Sequence, residues 1–201
     1  MQSSAIFPLF YLPPVAWFAD LKFHRDNFLI EDAEHFVKQT YRNRAKVYSP
    51  NGPLDLIVPV IRGAKVHTRV RDVRISYDAR WQRLHWKSLE SCYRNSAYFE
   101  FYEDEMARFY EQRFVFLFDY NLELTGWLLE KLKLDVTLNF TAEYTREQEL
   151  DFRMAYDAKS GHQDRSFSSY FQVFEDRKGF IPNLSIADLL FNQGPQARFY
   201  F

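Results

Sequence analysis

Ser4–Ile30, SAIFPLFYLPPVAWFADLKFHRDNFLI, is the stretch on which the fold turns. Ser4 to Leu12 is a short apolar run of strand character, closed by Pro13-Pro14. Proline suits the first turn of a helix, so Val15, Phe18, Ala19 and Leu21 to Lys22 begin one with its apolar face inward. Asn27 to Ile30 is a second short apolar run. Strand, helix and strand within about 30 residues is the spacing of a βαβ unit, which implies a parallel pair joined by a right-handed crossover.

Further along the chain, Asn43 to Tyr48 and Leu54 to Ile61 flank Ser49-Pro50-Asn51-Gly52-Pro53, turn chemistry that predicts an antiparallel hairpin. Val70 to Tyr77 reads as another strand. After it the apolar period lengthens to about 3.6 and predicts three helices, Ala79–Arg94, Ala97–Gln112 and Val115–Lys133. Val136 to Phe140 and Tyr170 to Phe174 read as strands, Thr145 with Gln148 as the capping box of a short helix, and Asp176 to Gly179 as a turn. Asp157 to Ser169 is too polar to anchor itself and reads as an exposed loop. Ser185 with Asp188 is an S-x-x-D cap, and Gly194-Pro195 a stop, for a last helix over Ile186–Gln193. The expected fold is a single α/β domain over residues 1–201: a mixed β-sheet with an N-terminal βαβ unit, an antiparallel hairpin and about five flanking helices.

The 201 residues are 47% hydrophobic and 19% aromatic, too apolar for a disordered chain. The single cysteine, Cys92, excludes an internal disulfide and a cysteine zinc cage and favours a reducing, cytoplasmic setting. Phe7 to Ala19 holds three prolines and falls short of the ~20 apolar residues of a membrane span. The net charge of -1 hides two opposed blocks: 13 basic against 4 acidic residues from Lys38 to Arg94, and 5 basic against 13 acidic from Phe99 to Asp151. That cancellation argues against a nucleic-acid partner and leaves room for a small anionic ligand.

If the chain is extended from Arg42 to Tyr48, Arg42, Arg44 and Lys46 share one face, and two guanidinium forks at that spacing can grip phosphate or carboxylate oxygens. The competing reading is a solvated strand face balanced by acidic helices, the default for surface charge. His24, His35, His67, His85 and His162 form no metal-binding spacing, and no metal site is expected. Cys92 falls on an apolar helix face and reads as a packing residue. No phosphate-binding glycine loop occurs among the 6 glycines. Ser185 and Asp188 have the spacing of a helix cap, which explains the pair without catalysis.

Three stretches carry a resemblance. Phe7-Pro8-Leu9-Phe10-Tyr11-Leu12-Pro13, Arg42-Asn43-Arg44 leading into the Asn51-Gly52 hairpin, and Gly179-Phe180-Ile181-Pro182-Asn183-Leu184-Ser185 continuing to Gly194 are similar to the WbqC-like protein family. This chain has Phe7 where that family typically has Gln. The resemblance implies an acyl or aminoacyl (glycine-type) transferase of O-antigen or other surface-polysaccharide biosynthesis, joining an activated donor to an amino or hydroxyl group of a nucleotide-linked sugar. No bound cofactor is expected beyond such an activated acyl or nucleotide-sugar substrate. Under it, Arg42 and Arg44, with Lys46 beside them, form the anion clamp, Tyr11 and Asn43 hydrogen-bond the ligand, and His85 or His162 is the base. The alternative is a non-catalytic protein that binds a ligand or partner through its charge-polarised face.

Overall fold

The computed structural model describes residues 4–61, 68–156 and 166–201. Strand β1 (Ala5–Pro8) pairs in parallel with β2 (Phe28–Glu31), with Ala5 opposite Phe28 and Pro8 opposite Glu31. Helix α1 (Val15–Phe23) makes the crossover and buries Val15, Ala16, Trp17, Phe18 and Leu21. The βαβ unit expected of the N-terminus is therefore present. Single parallel bridges, Ile6 to Asp151 and Ile30 to Phe140, continue the ladder on both flanks. Phe7 seats this layer: its ring stacks on Phe152 at 4.5 Å and meets Trp17 edge-on at 6.1 Å.

Strands β3 (Arg44–Ser49) and β4 (Gly52–Ile57) form the antiparallel hairpin around Pro50-Asn51, with Gly52 at φ +106. The parallel pair and the hairpin are two separate two-stranded sheets rather than one continuous one. The hairpin packs on helices α2 (Trp81–Tyr93) and α6 (Ile186–Gln193) instead. Helices α3 (Phe99–Glu111) and α4 (Leu117–Lys131) complete the helical layer, each within two residues of its expected bounds, and α5 (Glu175–Lys178) is a single turn where a turn was expected. No helix of the described residues is long and apolar enough to cross a membrane.

Four expected elements differ. Val70–Asp72 is a 3-10 turn, and the chain after it makes isolated bridges, Val60 to Ile75 and Arg74 to Phe116, in place of a full strand. Pro59, lacking an N–H, cannot extend that ladder. The 136–140 run is bridged only at Phe140, and 170–174 forms no strand; Tyr170 and Gln172 turn into a buried polar cluster around Asp188. Thr145–Gln148 is not helical: the carbonyls of Thr145 and Arg146 accept hydrogen bonds from the Arg153 guanidinium. Most of the expected 157–169 loop lies outside the described residues.

Helix α6 has the expected bounds, and Ser185 caps it by accepting from the Ala187 N–H at 3.2 Å. Its entry is docked on that of α1. The Ile186 N–H donates to the Pro13 carbonyl at 2.8 Å, while Asn183 Oδ1 accepts the Ala16 N–H at 2.9 Å, satisfying one of α1's unpaired first-turn donors.

Candidate functional site

The carboxyl edge of a parallel pair is where an α/β fold leaves a crevice for ligands. Here that edge carries Glu31 and, just beyond it, Asp32 and Glu34, all buried, with Arg153 arriving from the flanking segment. Charges buried this deeply persist only when paired and hydrogen-bonded. Arg153 Nη1 lies 3.1 Å from Glu31 and Nη2 lies 2.6 Å from Asp151. Arg42 meets Glu34 with both forks, Nε to Oε1 at 2.7 Å and Nη2 to Oε2 at 2.8 Å. Burial pushes the Glu34 carboxyl up, with the Arg42 hydrogen bonds opposing it, while the bonds from Arg153 hold Asp151 below the usual carboxylate range.

Counting donors decides which of these groups can meet a ligand. All five guanidinium donors of Arg153 are engaged: by Asp151 through Nε and Nη2, by Glu31 and the Thr145 carbonyl through Nη1, and by the Arg146 carbonyl through Nη2. Arg42 uses four, on Glu34, Thr40 and the Arg153 carbonyl. These two arginines hold the frame. Above them opens a cleft of ≈ 570 Å³ whose walls include His35, Arg69, Tyr144 and Arg146. Arg69 and Arg146 are exposed there, and neither makes an ion pair with a described residue. Both are placed by main chain: Arg69 by pairing with His35, Arg146 by its carbonyl's bond from Arg153. The three carboxylates of the frame, Glu31, Glu34 and Asp151, are all ion-paired to Arg42 or Arg153, and the rim carries two further arginines.

The residues singled out from sequence fall in three places. Arg44 and Lys46 do share a face of β3, and both pair with Asp55, at 3.4 and 2.9 Å. Arg42 does not join them: the strand starts two residues later, and its side chain turns inward to Glu34. Asn43 donates to the Val58 carbonyl at 2.9 Å and so closes the hairpin. Tyr11 and His85, 74 residues apart, meet in the interior, Tyr11 OH lying 2.9 Å from both His85 Nδ1 and Tyr110 OH. Trp81 and Tyr120 pack around them. Burial lowers His85 to about 4, so the ring is neutral at pH 7, and it is only 6% exposed. His162 lies outside the described residues.

Asp188 is a correction to the cap pattern. Its carboxylate does not cap α6; it is fully buried and accepts from Tyr93 OH at 2.8 Å, Tyr170 OH at 2.7 Å and Gln172 Nε2 at 2.9 Å. Burial raises its carboxyl above the usual range and pushes the neighbouring Cys92 thiol up to about 11, so Cys92 stays protonated and unreactive at neutral pH.

Sequence reasoning missed Glu34, His35, Arg69, Arg146 and Arg153. One signal was available: Glu31-Asp32-Ala33-Glu34-His35 directly follows the second strand of a βαβ unit, the position that faces the crevice. The partners from residues 69, 146 and 153 carry no local pattern.

Fold and cleft together define an α/β protein with a positively rimmed crevice at the carboxyl edge of its parallel pair. The chain belongs to the WbqC-like protein family, whose model matches residues 10–166. That match contains the edge network and both rim arginines, and it ends before the Gly179–Gly194 stretch. A Mycobacterium tuberculosis protein, the uncharacterised Rv1507c, is 27% identical across 100% of this chain and 97% of its own length. No solved structure matches the chain.

Proposed function

We propose that this protein binds a small anionic ligand in the carboxyl-edge cleft, with Arg69 and Arg146 as its cationic contacts. The carrying observation is the pairing at the cleft: Glu34 is held by Arg42, and Glu31 and Asp151 by Arg153, while the two rim guanidinium groups make no ion pair with a described residue and can fork onto phosphate or carboxylate oxygens. The family resemblance supports a finer reading, an acyl or aminoacyl transferase acting on a nucleotide-linked sugar of surface-polysaccharide biosynthesis. In that reaction the bond between the acyl carbon and its activating group breaks and one to the acceptor nitrogen or oxygen forms. The acceptor's proton passes to a base, and His35 is the imidazole that lines the cleft.

One observation favours a second reading, a non-catalytic binding protein: His85 is enclosed, Arg42 is paired to Glu34, and Arg44 and Lys46 share Asp55. A thermal-shift screen against nucleotide sugars, coenzyme A thioesters and simple polyanions tests both. At a hundredfold excess over Kd a ligand stabilises by about 2.7 kcal/mol, readily seen as a higher Tm. Stabilisation by a nucleotide sugar or thioester supports the transferase. Stabilisation by simple anions without turnover favours the binder, and silence across all of them contradicts the cleft assignment.

A further inference from the structure

The carboxyl-edge cleft is not lined by charge alone. Beside Arg69 and Arg146 stand Val37, Tyr144 and Met154, and two of these, Tyr144 at 51% and Met154 at 67% exposure, keep much of their apolar surface in water. A small inorganic anion engages the guanidinium groups and leaves that surface wet. A ligand that uses the whole lining carries an anionic end and an apolar end.

Tyr144 is held from beneath by the buried frame. The Arg153 guanidinium lies over one face of its ring, 4.8 Å from the centroid. The same guanidinium donates to the carbonyls of Thr145 and Arg146, the two residues that follow. One arginine thus fixes both the ring and the backbone that carries it, and Glu31 and Asp151 lock that arginine in turn. A ring with one face against a buried guanidinium shows its other face and its edge to solvent, and among the described residues no second ring stacks on it. Because the frame has already removed most of the ring's freedom, a ligand that stacks on it loses little further entropy.

Two kinds of ligand join an anion to an apolar part. An aliphatic chain gains by buried area alone and needs enclosure, whereas Tyr144 and Met154 stand half in water. A nucleobase stacks on a ring face with the offset geometry that aromatic pairs prefer, can rest against a polarisable thioether, and keeps its polar edge hydrated in a half-open cleft. We propose that the ligand of this cleft is a nucleotide and that Tyr144 is the platform for its base, with the phosphate on Arg69 and Arg146; this rests on the anion-binding reading of the cleft. The cleft's ≈ 570 Å³ lies within the range of small-ligand sites.

Isothermal titration of the full chain at low salt tests it. The probes are pyrophosphate, the 5′-monophosphates of adenosine and uridine, ribose 5-phosphate, which keeps a nucleotide's sugar and phosphate without the base, and hexyl phosphate. At least one nucleotide binds at least about fivefold tighter than ribose 5-phosphate and than hexyl phosphate, the contribution of one stacked base. Tyr144→Ala abolishes that ratio, while Tyr144→Phe and Tyr144→Trp, which keep a ring on Arg153, retain it. Arg69→Ala/Arg146→Ala weakens the nucleotides and pyrophosphate alike. Binding of neither pyrophosphate nor a nucleotide contradicts the cleft reading and this proposal with it. With anion binding intact, a nucleotide no tighter than ribose 5-phosphate, a preference for hexyl phosphate, or a ratio that survives Tyr144→Ala overturns the platform alone.

Discussion

At the residue scale the informative groups are ionisable side chains taken out of water. His85 sits at about 4 in the folded protein against 6.5 for an ordinary histidine, so the folded state binds fewer protons between those values. As pH falls through 6.5 the unfolded chain takes up a proton that the folded chain refuses. His85's contribution to stability is thus full above pH 6.5 and is lost towards pH 4, by up to about 3 kcal/mol. Urea denaturation across that window checks this: His85→Gln has a shallower acid decline than the parent protein. The Arg42–Glu34 pair makes a second prediction. Glu34→Ala leaves a guanidinium buried and uncompensated and costs about 3–5 kcal/mol, while the double replacement Glu34→Ala/Arg42→Met costs less than Glu34→Ala alone. A double-mutant cycle by chemical denaturation measures both. Arg42 also shows where reading residues from sequence reaches its limit. Alternation places it outward with Arg44 and Lys46, and only Glu34, on a different segment, turns it inward. Tyr11 and His85 were both visible as candidates, but that they would touch each other in the interior was not, because 74 residues and two layers separate them along the chain.

Among the elements, helix α6 is the one most tightly specified. Ser185→Ala removes the acceptor of the Ala187 N–H and costs about 1 kcal/mol by denaturation. Gly194 ends the helix at φ +53, and a Cβ there would lie 2.5 Å from the Tyr98 ring. Gly194→Ala therefore pays both backbone strain and a clash, about 2–4 kcal/mol, whereas Gly52→Ala in open space carries the strain alone, about 1 kcal/mol. A urea series on the two variants ranks them. The contrast between elements explains what was legible. Helices α2, α3 and α4 announce themselves because each buries one face at its own period, α6 because Ser185 and Gly194-Pro195 mark its ends, and the βαβ unit and hairpin because prolines and Asn-Gly punctuate them. The 70–77 and 136–140 runs have strand composition, but their ladders depend on partners far away in sequence. They reduce to single bridges, since Pro59 cannot donate and only Phe140 reaches Ile30.

Over the whole molecule, the near-neutral charge resolves into local matches. The basic and acidic blocks meet where Arg94 forks onto Glu103 at 2.6 Å, Lys131 reaches Glu105 within the acidic block, and the hairpin's cations share Asp55. The cleft's rim is placed by the fold and not by composition: Arg69 and Arg146 come from segments 77 residues apart and border one cleft above a buried, ion-paired frame. Because the rim charges are exposed, their attraction for an anion weakens as salt screens it. The central claim is that this rim binds anions. Isothermal titration of the parent protein, Arg69→Ala/Arg146→Ala and Arg44→Ala/Lys46→Ala with pyrophosphate and with a nucleotide sugar at low salt tests it most directly. The account predicts binding by the parent and by the hairpin variant, and a loss of at least tenfold in the Arg69/Arg146 variant with its Tm unchanged; retained binding in that variant, or its loss in the hairpin variant alone, would contradict it.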